Sequence, residues 1–115
     1  MLKTTTKFLV ILPTYQHDGT SNRASIVDIE KEISTVAGGY TEYASDGGWI
    51  DDATGQLYTD AALTVYTYCT DEQAETLYNR CTAWAITLQQ IALTVEISTV
   101  RVAFVEGTRA QDIAA

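Results

Sequence analysis

The order of elements along this chain predicts an α+β domain of the ferredoxin-like kind, β-α-β-β-α-β, with one antiparallel sheet and two helices on a single face. Three observations carry that expectation. Apolar residues recur at helical spacing in two stretches, residues 26–36 and 74–88. Strand-like runs precede the first stretch, fill the space between the two, and follow the second. A centre rich in glycine and aspartate, with "DDATG" at 51–55, reads as the turn of a hairpin.

Each element has its own justification. Phe8–Leu12 is continuous and apolar, as a strand covered on at least one face should be. "HDGTSN", residues 17–22, is a turn cluster in which Ser21 or Asn22 can cap the helix that follows. His17 is alone there, without a partner cluster, and is read as a turn residue. Ile26, Ile29, Ile33 and Val36 then lie opposite Asp28, Glu30, Lys31 and Glu32, an amphipathic helix closed by Gly38–Gly39. Strands through Tyr40–Tyr43 and Leu57–Cys69 bracket the glycine-rich centre. In the second of these, Leu63, Val65, Thr67 and Cys69 alternate with Thr64, Tyr66 and Tyr68. "TDEQ" (Thr70 to Gln73) has the form of a capping box. It opens a second helix whose inner face is Ala74, Leu77, Cys81, Ala85 and Leu88, with Tyr78 and Trp84 flanking it as core or interface residues. In the last strand Leu93, Val95 and Ile97 keep one parity and Val100, Val102 and Phe104 the other, which predicts a bulge near Ser98–Thr99. The domain is expected to span residues 1–106, with a flexible tail over 107–115.

Composition narrows the function classes. The 115 residues suit one domain, and 46% hydrophobic with 19% charged residues is ordinary for a globular protein. Fifteen acids against seven bases give a net charge of −8, which disfavours nucleic acid and anionic membrane surfaces as partners. A cationic small molecule or a basic protein surface is favoured instead. The opening apolar run is short and ends at Pro13 without a small-residue cleavage site, so neither a signal peptide nor a membrane span is expected. Cys69 and Cys81 are too few and too far apart for a zinc site or a redox pair. Buried free thiols in a reducing cytoplasm are the expectation. One sheet face is left without helices. Tyr66, Tyr68 and the end of the last strand give it apolar character, which predicts a homo-oligomer, trimer or dimer.

The candidate site residues gather around the hairpin. Glu42, Asp46, Asp51, Asp52 and Asp60 surround Trp49 and Tyr58. Asp51 and Asp52 suit a hydrated turn. Asp60 immediately precedes the apolar run of its strand, where a partly desolvated carboxylate can meet a positive charge. Trp49 and Tyr58 can add cation–π attraction to a sulfonium or ammonium. Gln89 and Gln90 lie where the second helix feeds the last strand, each offering a donor and an acceptor suited to an adenine edge or a carboxylate. Such glutamines also serve as polar helix ends. Glu96 should point away from Val95 and Ile97. The chain carries no Ser–His–Asp set, metal-ligand cluster, phosphate-cradling loop or dinucleotide fingerprint. An enzyme built on it would work without cofactor or metal.

From Ala37 through Val100 the pattern "AGGYTEYASDGGWIDD…LYTDAALTVYTYCTDEQAETLYNRCTAWAITLQQIALTVEIST" resembles the phage-encoded S-adenosylmethionine lyases, over somewhat more than half of the chain. The resemblance rests on element order, the aromatic-then-acid hairpin, the "TDEQAETL" helix start and the glutamine-bearing entry to the last strand. It implies a ferredoxin-like trimer in a host cytoplasm, with active sites between subunits and no cofactor. The implied reaction splits S-adenosylmethionine into methylthioadenosine and homoserine lactone, the substrate's own carboxylate attacking its γ-carbon. The family's hairpin aromatic falls on Trp49, its glutamate heading the third strand on Asp60, and its glutamine–glutamate pair on Gln89–Gln90. Asp60 and Gln90 are then the expected catalytic residues, with Trp49, Tyr58, Gln89 and Glu42 binding substrate. Asp60 is one methylene shorter than the family's acid, and Gln90 is neutral. Those departures keep open an oligomeric binding protein that sequesters an adenosine-containing or nucleotide-like ligand, and an acidic protein-interaction module. A ligand rich in phosphates would need Arg80 or Arg101.

Overall fold

A computed structural model describes residues 1–107 of the chain. Four strands, β1 (Lys3–Pro13), β2 (Thr41–Ile50), β3 (Leu57–Cys69) and β4 (Thr94–Val102), form one antiparallel sheet in the order β2-β3-β1-β4. Helix α1 (Arg23–Ala37) follows β1, and α2 (Asp71–Tyr78) with α3 (Cys81–Thr87) follows β3. This is the ferredoxin-like α+β architecture expected from the element order. No helix among the described residues is long and apolar enough to cross a membrane.

Strand alternation explains why the helices share one face. Phe8, Val10 and Leu12 of β1 and Leu63, Val65 and Cys69 of β3 turn the same way. They meet Ile26, Ile29 and Ile33 of α1, and Ala74, Leu77, Cys81, Trp84 and Leu88 along and after α2 and α3. Each fully buried large side chain in this set contributes about 2 kcal/mol. Trp84 is core: its ring meets Phe8 edge-on at 6.4 Å, and its Nε1–H donates to Glu32 at 2.8 Å. Glu32 also accepts from Arg80 Nε at 2.7 Å. Burial pushes the Glu32 carboxyl up, but the Arg80 and Trp84 hydrogen bonds outweigh it and hold the group below its usual range. Tyr78, the other flanking aromatic, is exposed. Both cysteines are free and buried, and burial raises both thiols, Cys81 to about 11, which leaves them unreactive.

The helix ends follow local chemistry. α1 stops at Gly38, whose φ of 94° is open to glycine, and its N–H closes on Ser34 O at 2.8 Å. The expected capping box is present: Gln73 N donates to Thr70 Oγ1 at 3.1 Å, and Thr70 N to Gln73 Oε1 at 2.9 Å. Gln73 Nε2 also reaches Val36 O at 2.9 Å, fastening α2 to the end of α1.

Three expectations are corrected. The second helix is two short ones. Arg80 N bonds Leu77 O at 3.0 Å, a tightened turn, and the chain restarts with Trp84 N on Arg80 O at 3.1 Å. Leu77, Cys81 and Trp84 keep the i, i+4, i+7 spacing of one face across the break, and all three reach the core. β2 runs from Thr41 to Ile50 rather than ending at Tyr43, with Gly47 and Gly48 opposite Asp60 and Thr59. A ladder is made by backbone groups, which glycine supplies, and an edge strand tolerates the missing side chains. β4 has no bulge: its register with β1 runs unbroken from Lys3↔Val102 to Ile11↔Thr94. Val95 and Ile97 lie on the helix face, and Val100 and Val102 on the open face. Of the tail expected over 107–115, residues 108–115 lie outside the described residues.

Candidate functional site

Three segments converge at one end of the sheet: the β1–α1 loop, the β2–β3 hairpin and the connection from α3 to β4. Asn22 ties two of them together. It is 1% exposed, its Nδ2 donates to Pro13 O at 3.0 Å and Leu88 O at 3.1 Å, and its Oδ1 accepts from Gln16 Nε2 at 3.2 Å. Gln90 adds a second tie, its Nε2 donating to Leu88 O at 3.0 Å and Tyr15 O at 3.4 Å. The loop is folded by Gln16 N to Thr20 O at 2.8 Å and by a bridge between Tyr15 and Ser21. The hairpin closes through Gly55, with φ of 72°, whose N–H meets Asp51 O at 2.7 Å. Asp51 Oδ1 accepts from Ala53 N at 2.8 Å, the turn role expected of that aspartate.

Between these segments lies a recess of about 490 Å³ on the open side of the sheet. Ile11, Pro13 and Ala62 floor it, Trp49 and Asp60 come from the hairpin, Gln90–Thr94 from the connection into β4, and His17 from the β1–α1 loop. The register explains the hairpin wall. Trp49 pairs with Tyr58 and Gly47 with Asp60, so the four share one face; opposite a glycine, Asp60 is exposed and not partly desolvated as its place before the apolar run suggests. The Trp49 ring stacks on Tyr58 at 4.9 Å and 20°. Tyr58 is therefore the support behind the indole rather than part of the wall, and its hydroxyl donates to Gln56 Oε1 at 3.2 Å. Asp46 also borders the recess. A smaller adjoining cavity of about 250 Å³ shares His17, Asp60 and Gln90 with it.

Trp49, Asp60 and Gln90 thus border one cavity, with Tyr58 behind. Gln89 does not join them. It has a φ of 56° and its side chain donates to Ile86 O at 3.4 Å, so it ends α3 where a glycine is more usual. Glu42 is also elsewhere. Its place opposite Val65 puts it on the helix face, against Glu30 of α1. Glu30 is 5% exposed, and its Oε2 is buried without a hydrogen-bond partner. Burial first, then the hydrogen bond and charge of Glu42, raise the Glu30 carboxyl to about 7, with Arg23 opposing.

His17 and Ser45 are the site residues that sequence reasoning missed. Ser45 Oγ pairs with Thr64 Oγ1 at 2.9 Å across the strands. His17 lies within a turn signal that accounts for the loop, and only the tertiary fold brings it beside Asp60. None of the described lysines or arginines borders the recess. Further along the open face Tyr66 meets Tyr43 at 6.3 Å and Tyr68 at 5.7 Å, with Lys7 Nζ 4.4 Å from the Tyr66 ring centre. Among the described residues no group of three or more His, Cys, Asp or Glu is placed to hold a metal ion.

No family model and no curated protein matches the sequence. Solved structures do match the fold. A phage S-adenosylmethionine lyase in complex with S-methyl-5'-thioadenosine superposes with a TM-score of 0.65 at 13% identity, over 87% of this chain and 90% of that one. A PII-like signalling protein from Thermus thermophilus gives 0.58 at 17% identity, over 88% and 90%. CutA from Synechococcus elongatus gives 0.62 at 10% identity, over 87% and 82%. At these identities the likeness is one of fold, and the chain shares that fold with a lyase, a PII-like signalling protein and CutA alike.

Proposed function

We propose that the recess binds S-adenosylmethionine and that the chain cleaves it to methylthioadenosine and homoserine lactone. The observation that carries this reading is the meeting of Trp49, Asp60 and Gln90 around one cavity. These are the positions that the lyase resemblance singles out, and the fold brings them together from two distant parts of the chain. The Asp60 carboxylate and the Trp49 face attract the sulfonium, and the apolar floor receives the uncharged parts of the ligand. A carboxylate oxygen of the substrate attacks its own γ-carbon and the C–S bond breaks. The electron pair goes to sulfur, which becomes the neutral thioether of methylthioadenosine. No proton is gained or lost, so the protein needs only to fold the chain of the substrate and keep water away.

Water exclusion asks for a cover over the open face. A homotrimer in which neighbouring copies cover that face supplies it. In a host cytoplasm, such a phage product would remove the methyl donor on which methylation and restriction depend.

Chromatography of S-adenosylmethionine incubated with the purified protein tests the reading. Methylthioadenosine and homoserine lactone are the expected products, formed roughly a hundredfold more slowly by Asp60→Ala. One observation favours a second reading, sequestration without turnover: the Gln90 amide is spent on two backbone carbonyls and acts as a strut. Ligand held intact by the protein selects that reading, and neither binding nor product overturns both.

A further inference from the structure

We propose that His17 receives the carboxylate end of the ligand, so that the recess selects a zwitterion rather than a simple cation; the inference rests on the reading of this recess as an S-adenosylmethionine site. The recess is bordered by acids, and a carboxylate brought among them is repelled unless a donor meets it. The candidates for that donor are few. Gln90 Nε2 already donates to Leu88 O and Tyr15 O, and Ser45 Oγ is engaged with Thr64 Oγ1. No described lysine or arginine borders the cavity, which leaves His17 as the one bordering side chain that can carry positive charge.

Position supports the assignment. His17 borders both the main recess and the smaller cavity that opens beside Asp60 and Gln90. It lines the recess in company with Asp60, so a zwitterionic ligand finds an N–H donor for its carboxylate next to an acid for its cationic groups. The loop that holds it is fixed in advance. Gln16 N bonds Thr20 O, Tyr15 bridges Ser21, and Gln16 Nε2 reaches the buried Asn22. Little ordering is left to be done on binding. An imidazole N–H holding one carboxylate oxygen leaves the second free to attack, so His17 binds and orients without removing the nucleophile.

The test compares two ligands that differ by the carboxylate alone, S-adenosylmethionine and its decarboxylated counterpart, on wild type and His17→Ala. Affinity is read by calorimetry, or as KM from initial rates where product forms. Wild type is expected to bind S-adenosylmethionine about tenfold more tightly than the decarboxylated ligand. His17→Ala is expected to lose that preference by weakening S-adenosylmethionine about tenfold and leaving the decarboxylated ligand unchanged. Because His17 is exposed in a turn held by backbone bonds, the variant should melt with the wild type. Equal weakening of both ligands, no weakening, or no preference in the wild type overturns the assignment and leaves the site reading intact. Wild type that binds neither ligand overturns the site reading as well.

Discussion

Glu30 is held on α1 among Ile26, Ile29 and Ile33, nearly buried, with Glu42 of β2 facing it and the Arg23 charge in its favour. Its carboxyl is raised from 4.5 to about 7, so the folded protein holds that proton more tightly than the unfolded chain does. Stability therefore falls as pH climbs from about 4.5 to about 7 and levels off above. Glu30→Gln keeps the neutral shape and should remove this dependence. Between pH 5 and pH 8 the wild type should lose on the order of 1–2 kcal/mol more than the variant, allowing for screening by nearby solvent. Urea midpoints at the two pH values check it, and parallel losses would refute it. The sequence placed Glu30 on the polar side of the helix and Glu42 in the ligand site. Periodicity fixes the centre of an apolar stripe well and its borders poorly, and Glu30 lies at a border. Glu42 was misjudged because an acid near Trp49 in sequence can lie on the opposite face of the strand.

Between elements, Asn22 is the joint where β1, α1 and the end of α3 meet. Asn22→Ala would strip partners from two carbonyls and from the Gln16 amide. A loss of about 2–3 kcal/mol in urea unfolding is expected, against about 1 kcal/mol or less for Ser21→Ala, whose exposed hydroxyl accepts only from Arg23 N at the helix start. Equal effects would show that the junction is held by packing instead. The elements themselves were largely readable. The isoleucine spacing of α1, the Thr70–Gln73 box and the alternation in β3 all state local rules that the fold obeys. What the sequence did not state is what depends on pairing. Gly47–Gly48 carry no strand signal, yet their backbones pair with β3. Arg80 looks like any helix residue, yet the ladder is interrupted there, and its guanidinium and the Trp84 indole both end on Glu32. The supposed bulge in β4 was a change in which face needs apolar cover.

Across the whole molecule, the body is elongated, 64 × 33 × 25 Å, with the β2–β3 hairpin reaching past the helices. The open face carries Leu9, Tyr43, Tyr66 and Tyr68, a surface more apolar than a chain of net charge −8 would leave to water. Sedimentation equilibrium is expected to give a trimer, and Tyr66→Lys, which sets a charge beside Lys7, a shift toward monomer. A monomeric wild type would overturn the oligomer and expose the recess to water. At this scale the site was half legible. Trp49, Tyr58 and Asp60 are close along one hairpin, and Gln90 is marked by its place at the entry to the last strand and by the resemblance. His17 could not be read, because the convergence of three separate segments is written in no single stretch of sequence.

One feature of that convergence bears on how the cavity handles guests of different girth. His17 and Gln90 stand on loops laced to the interior by Asn22, whereas Trp49 hangs from a two-stranded ribbon with little packed against either side. A twist of that ribbon would move Trp49 against a rim held by side-chain bonds to the interior. Like a caliper with one fixed jaw, such a cavity is expected to accept variation in a guest at the Trp49 end more readily than at the His17 and Gln90 end.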